Sequence, residues 1–187
     1  MKISLTIVIT LIFSGFIKCQ DLTVNNLELD SLDTLKSNSD HKKFLEGVFL
    51  SDQLVREKEI QMSINCGYKS IEHKEAIQEM LKMDSINLLQ IKQYLIKFEY
   101  PHKENVGEIA SITPWLIIHH CGYPEVQLEY FSTIYTAWKM DCIDDDRFEL
   151  FLSRLLSSID IPVENLTLSQ LISTSQKMLK YDFDYNK

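Results

Sequence analysis

The sequence predicts an all-α protein: one domain of about six to seven helices packed as an irregular antiparallel or orthogonal bundle. Three observations carry this reading. Apolar residues recur at helical spacing from residue 40 almost to the C-terminus, and no segment sustains the alternation of a half-buried strand. Only 5 glycines and 4 prolines occur in 187 residues, so few positions impose a turn. Apolar content of 45% supplies a core and argues against disorder.

The first nineteen residues read as a signal peptide. Lys2 gives a positive start, and the apolar run Ile3 to Ile17 is too short to span a bilayer. Cleavage after Cys19 places Ile17 and Cys19 at the recognition positions. The competing readings are an uncleaved anchor and a lipid-modified Cys19. The second is disfavoured, because Phe16, Ile17 and Lys18 stand where a bacterial lipoprotein signal takes small residues. The expected location is therefore periplasmic or extracellular. Losing residues 1–19 removes Lys2 and Lys18 and no acid, so the formal net charge of −8 becomes −10. Such a chain repels nucleic acid and anionic lipid. The expected partner is a small molecule or a protein, with no nucleic acid and, after signal removal, no membrane.

Residues 20–39 are polar with scattered leucines and read as a leader or linker; residues 40–187 are the helical domain. In its first helix Phe44, Val48, Leu54, Val55 and Met62 fall at helical spacing. Cys66-Gly67-Tyr68-Lys69 is a break, and Ser70 caps the next helix. There Ile77, Leu81, Leu88, Ile91, Leu95 and Phe98 form one stripe, with Asp84 in its middle. Asp84 is either an N-cap that splits the segment in two, the simpler reading, or a buried acid with a partner. Ser111, Thr113 and Pro114 suit the first turn of a short apolar helix, which Gly122 ends in a left-handed conformation. One helix is expected over Pro124–Met140, with Leu128, Phe131, Ile134, Tyr135 and Trp138 as its stripe. Asp144 to Asp146 place acids at the next helix start, followed by Phe148, Phe151, Leu152, Leu155 and Leu156. Leu168, Leu171, Ile172 and Leu179 mark the last helix.

Three cysteines remain after the signal: Cys66, Cys121 and Cys142. A helix over Pro124–Met140 separates Cys121 from Cys142 by on the order of 24 Å, against the roughly 5–6 Å a disulfide needs. Any bond therefore involves Cys66.

The punctuated span from Tyr100 to Gln127 holds two adjacent histidines, His119 and His120. Helical neighbours point about 100° apart, so they do not share one metal, and no HExxH or CxxC occurs. No metal and no cofactor are expected. One histidine reads as a helix C-terminal residue, favourable to the dipole, and the other faces a groove. The competing reading makes a histidine a general base or ligand contact. Cys121 beside them is a weak nucleophile signal, since Cys–His pairs are built by tertiary contact. Asn165-Leu166-Thr167 is a glycosylation sequon relevant only in a eukaryotic secretory route.

Several residues, in order, resemble the bacterial family designated domain of unknown function 6624. They are Asp52, Gln53 and Arg56; Asp84 and Asn87; Tyr100-Pro101; Val106-Gly107; Trp115-Leu116 with His119-His120; Gln127; and Leu152-Ser153-Arg154. The resemblance covers about residues 45–156. Family members commonly end in a Gly-rich segment with Tyr-Gly-Thr-Gln, whereas residues 157–187 contain no Gly, which marks a divergent member. The resemblance implies His120, Asp84, Arg154 and Arg56 as candidate catalytic groups. It implies His119, His120, Trp115, Gln127 and Asn87 as ligand contacts, and no known reaction. The leading expectation is a binding or interaction module with a polar groove near His120. The alternative is a hydrolase-like enzyme with His120 as base, helped by Asp84 and an arginine. In either case His120, rather than His119, is expected to touch Asp84 or an arginine, directly or through water.

Export is testable by intact mass. Protein from the native host should lack roughly nineteen or twenty N-terminal residues. A full-length mass in the membrane fraction would reject cleavage.

Overall fold

A reciprocal cap begins the first long helix. The Ser37 hydroxyl accepts from the Asp40 N–H at 3.2 Å, and the Asp40 carboxylate accepts from the Ser37 N–H at 2.9 Å. From there helix α1 runs Asn38–Cys66. The computed structural model describes residues 32–185, with side chains to residue 177. The expected signal peptide, the leader up to residue 31 and the Leu179 side chain lie outside the described residues. The helical body starts earlier than residue 40, since Leu32 and Leu35 already pack against the core.

Among the described residues there are eight α-helices and no strand, so the fold is all-α. Gly67, at φ 91°, turns α1 into α2 (Ile71–Lys97), whose N-cap is Ser70. The break and cap expected at Cys66–Ser70 are both present. Lys58 pairs with Glu79, and His73 with Glu59, across this hairpin. Short α3 (Lys103–Val106) leads into α4 (Glu108–His120). Then come α5 (Pro124–Glu129), α6 (Phe131–Lys139), α7 (Asp145–Ser157) and α8 (Leu168–Tyr185).

Helix α4 is the centre of the packing. Every residue from Ala110 to Ile118 is buried, as expected for a helix that is apolar all round. It lies against both α1 and α2. Its start corrects the sequence reading. Gly107, at φ 85°, is the N-cap, and Pro114 sits inside the helix rather than in its first turn. An interior proline costs about 3 kcal/mol; continuous burial of the surrounding residues offsets it.

Three other expectations change. Asp84 does not cap a helix: α2 is unbroken from Ile71 to Lys97, and Asp84 is partnered instead. The buried face of α2 is Ala76, Met83, Asn87, Gln90, Ile91 and Tyr94. It is rotated from the apolar stripe read in the sequence, and Leu81 is left exposed. The expected helix over Pro124–Met140 is two, parted at Tyr130, with Val126, Gln127, Phe131 and Ile134 all turned inward. The α7 stripe from Phe148 to Leu156 is buried as read, and Asp144 caps that helix. Leu171 of α8 is buried too.

Cys66, Cys121 and Cys142 are free, the first exposed and the others buried. The Cys121–Cys142 bond is absent as expected, although the intervening segment is not one straight helix. An alkylating reagent should therefore label Cys66 in the native protein, with Cys121 and Cys142 reacting only after denaturation. Rapid native labelling of Cys121, read by peptide mapping, would contradict the packing around α4.

Candidate functional site

The site begins with an acid in an apolar stripe. Leu45, Val48, Asp52 and Val55 form the buried face of α1, and the Asp52 side chain is only 1% exposed. An unpartnered carboxylate there would be strongly destabilising. Asp52 has three side-chain partners. Arg56, one turn along α1, gives Nε to both carboxylate oxygens at 3.1 and 3.2 Å. His120 at the end of α4 approaches with Nδ1 at 3.0 and 3.1 Å. Gln53 donates Nε2 at 2.8 Å.

Arg56 extends the cluster to α2. Its second terminal nitrogen lies 2.6 Å from Asp84 and 3.1 Å from Asp52, so one guanidinium bridges two acids. Its other terminal nitrogen is 3.5 Å from the Met80 sulfur. The cluster is deep at Asp52 and open at its edge. The side chains of Asp84, His120 and Arg56 are 16%, 19% and 23% exposed.

The two acids respond oppositely. Burial pushes the Asp52 carboxyl up, but the hydrogen bonds and charges of His120 and Arg56 outweigh it and hold the group below its ordinary value. At Asp84 burial dominates and raises the value, with Asp52 adding to the rise and Arg56, His120 and Arg154 opposing it. An ionised Asp52 can only accept. His120 Nδ1 must therefore be the donor, which leaves Nε2 without a partner among the described residues.

His119 has the opposite surroundings. Its ring stacks on Trp115 with centroids 5.3 Å apart and planes 13° apart, and its Nδ1 is buried without a hydrogen-bond partner among the described residues. Burial, with the charges of Arg154, His120 and Arg56, pushes its pKa down to about 3. Trp115 itself is anchored, donating Nε1 to the Arg147 carbonyl of α7 at 3.1 Å.

Asn87 and Gln127, expected as ligand contacts, are both buried. Gln127 Nε2 lies 3.4, 3.2 and 3.3 Å from the carbonyls of Ile118, His119 and Cys121, and its two hydrogens are shared among them. It thereby satisfies the open end of α4. This side-chain cap is why α4 leaves through Cys121 in an extended conformation, φ −61°, and not through a left-handed Gly122. Asn87 Oδ1 lies 2.8 Å from the Ser51 hydroxyl, which is also 2.8 Å from the Val48 carbonyl. One hydroxyl hydrogen serves one of them at a time. Whichever way the amide is turned, one Asn87 polar atom is left without a partner among the described residues.

His120, Asp84 and Arg56 thus come together as a cluster, but through Asp52. His120 bonds to Asp52, where contact with Asp84 or an arginine was expected. The sequence did hold a signal for Asp52: an acid at an apolar position of the Leu45–Val55 stripe, with an arginine one turn on. Cys121 is no activated nucleophile. Its sulfur is 2.9 Å from the Ile118 carbonyl, and burial raises the thiol. Among the described residues no group of three or more His, Cys, Asp or Glu is placed to hold a metal ion. Nor is any helix there long and apolar enough to cross a membrane.

What the fold and cluster define is a helical protein with a buried carboxylate–histidine–arginine site at the junction of three helices. The chain matches no protein-family profile, curated protein or solved structure with which it was compared.

Replacing His119 tests its burial. The folded chain takes up no proton there until about pH 3, whereas unfolded histidine does so near its ordinary value of about 6.5. The unfolded state thus binds more protons between these limits, and stability falls as pH falls through that window. His119→Phe keeps a ring over Trp115 and should flatten this acid slope in denaturant titrations at stepped pH. An unchanged slope would show that His119 protonates freely in the fold.

Proposed function

We propose that the protein is an exported binding or interaction module whose ligand site is the polar cluster around His120. One observation carries this: Arg56 bridges Asp52 and Asp84 while Asp52 holds His120 by Nδ1. A scaffold would need none of this; it could cap a helix with Asp84 and keep its histidines apart. Here the buried carboxylate orients the imidazole, and Nε2 is left as an acceptor for a ligand donor when the ring is neutral. The unpartnered Asn87 amide atom adds a buried polar edge of the kind that water or a ligand normally satisfies. The acidic composition argues for a small polar molecule or a protein segment over nucleic acid.

A second reading has a specific observation in its favour. A carboxylate on Nδ1 with Nε2 free is the orientation a general base requires. With Cys121 buried and protonated, such an enzyme would activate water, not form a thiol intermediate. Asp52 is then the orienting acid in place of Asp84, which is linked only through Arg56.

Both readings place the ligand at His120. A thermal-shift screen of polar metabolites should give compounds that stabilise the wild type but neither His120→Ala nor Asp52→Asn. His120→Ala should cost less than the roughly 2–5 kcal/mol of a core deletion. Compounds that stabilise folded His120→Ala as strongly as the wild type would remove His120 from the site. Turnover of a hit, with a pH profile lost in Asp52→Asn, would select the enzyme reading.

A further inference from the structure

Helix α7 carries a cation that forms no ion pair among the described residues. The chain has three arginines: Arg56, Arg147 and Arg154. Arg56 is occupied by Asp52 and Asp84. Arg147 is occupied by Asp144 and Glu108. Arg154 is exposed and has no hydrogen bond or ion pair among the described residues. In a chain with 27 acids and 19 lysines and arginines, an unpaired guanidinium beside a polar site is informative.

Its place follows from the bond between α4 and α7. Trp115 Nε1 meets the Arg147 carbonyl at 3.1 Å. Arg154 lies seven residues past Arg147, two turns along the same face and roughly 10 Å on. His119 lies one turn past Trp115, roughly 6 Å on. Both helices run the same way: Glu108 at the start of α4 meets Arg147 at the start of α7 at 3.9 Å, and α5, which follows the end of α4, packs against α7. The Arg154 charge is accordingly felt at His119, Cys121 and Asp84. The end of α4 would ordinarily repel an anion with its open carbonyls. Here the Gln127 amide shares its two hydrogens among the carbonyls of Ile118, His119 and Cys121.

We propose that the ligand of this site carries an oxyanion, a phosphate or carboxylate group, which rests on Arg154 while the rest of the molecule reaches His120. This rests on the His120 site reading and names its ligand class. Arginine suits the task because its planar fork matches both oxyanions in two parallel hydrogen bonds. Arg56 cannot serve without releasing Asp52, which would then be a buried, underpaired charge.

The test is a titration of the full chain with inorganic phosphate and, separately, acetate, at ionic strength fixed by chloride. The ring resonances of His119 and His120 are followed by NMR. The wild type should show saturable shifts with at least one probe, and the one that saturates at lower concentration gives the group. Arg154→Gln, confirmed folded by circular dichroism, should need at least about tenfold more of that probe. Arg147→Gln should titrate like the wild type. The proposal is overturned if the wild type shows no saturable shift with either probe. It is equally overturned if Arg154→Gln titrates unchanged, or if Arg147→Gln weakens as much. His120→Ala separates the two ideas. Phosphate or acetate should still saturate there, read at His119. The His120 reading itself fails only if the screened compounds still stabilise that variant.

Discussion

One buried carboxylate constrains the centre of this molecule. Asp52 sits where the helical period of α1 calls for an apolar side chain, and the interior tolerates its charge only when it is partnered. Arg56 comes from the same helix, but His120 comes from α4, and Arg56 reaches on to Asp84 of α2. Satisfying one charge therefore fixes how three helices are rotated against each other. Well-packed apolar residues could hold such a junction at least as firmly. Stability alone does not call for charges in this place, which is why the cluster is read as a site.

Helix α4 makes that constraint possible. Its apolar body is buried on all sides, so its end is held in place without a polar face of its own. Gln127 closes the last carbonyls and Trp115 ties the helix to α7. Two identical side chains at that end meet different surroundings. His119 lies on an aromatic ring, where desolvation keeps it neutral, and His120 meets an ionised acid. About 100° of helical rotation separates them, and that angle assigns one to packing and the other to the polar cluster.

Much of the fold was legible in the sequence. Helical period, scarce glycine and proline, the Ser70 cap and the Phe148–Leu156 stripe are local signals, and each survives in the structure. The interior of α2 was not legible by hydropathy, because its buried face includes Asn87 and Gln90. Apolar counting rotated that helix toward Leu81, which is exposed. The division of Pro124–Met140 at Tyr130 and the extended exit of α4 through Cys121 were likewise set by packing and by Gln127.

The site divides along the same line. By itself the sequence singled out candidate residues: adjacent histidines at a helix end, an acid within the α2 stripe, and arginines that an acidic chain holds in small number. Only the tertiary structure decided the pairing. The distance along the chain from Asp52 to His120 says nothing about their separation in space, and the arginine one turn past Asp52 marks that acid as partnered without naming His120 as its second partner. That choice is made by burial. The more enclosed acid must collect the most donors, so it takes both Arg56 and His120, while the acid nearer water is satisfied by one shared guanidinium.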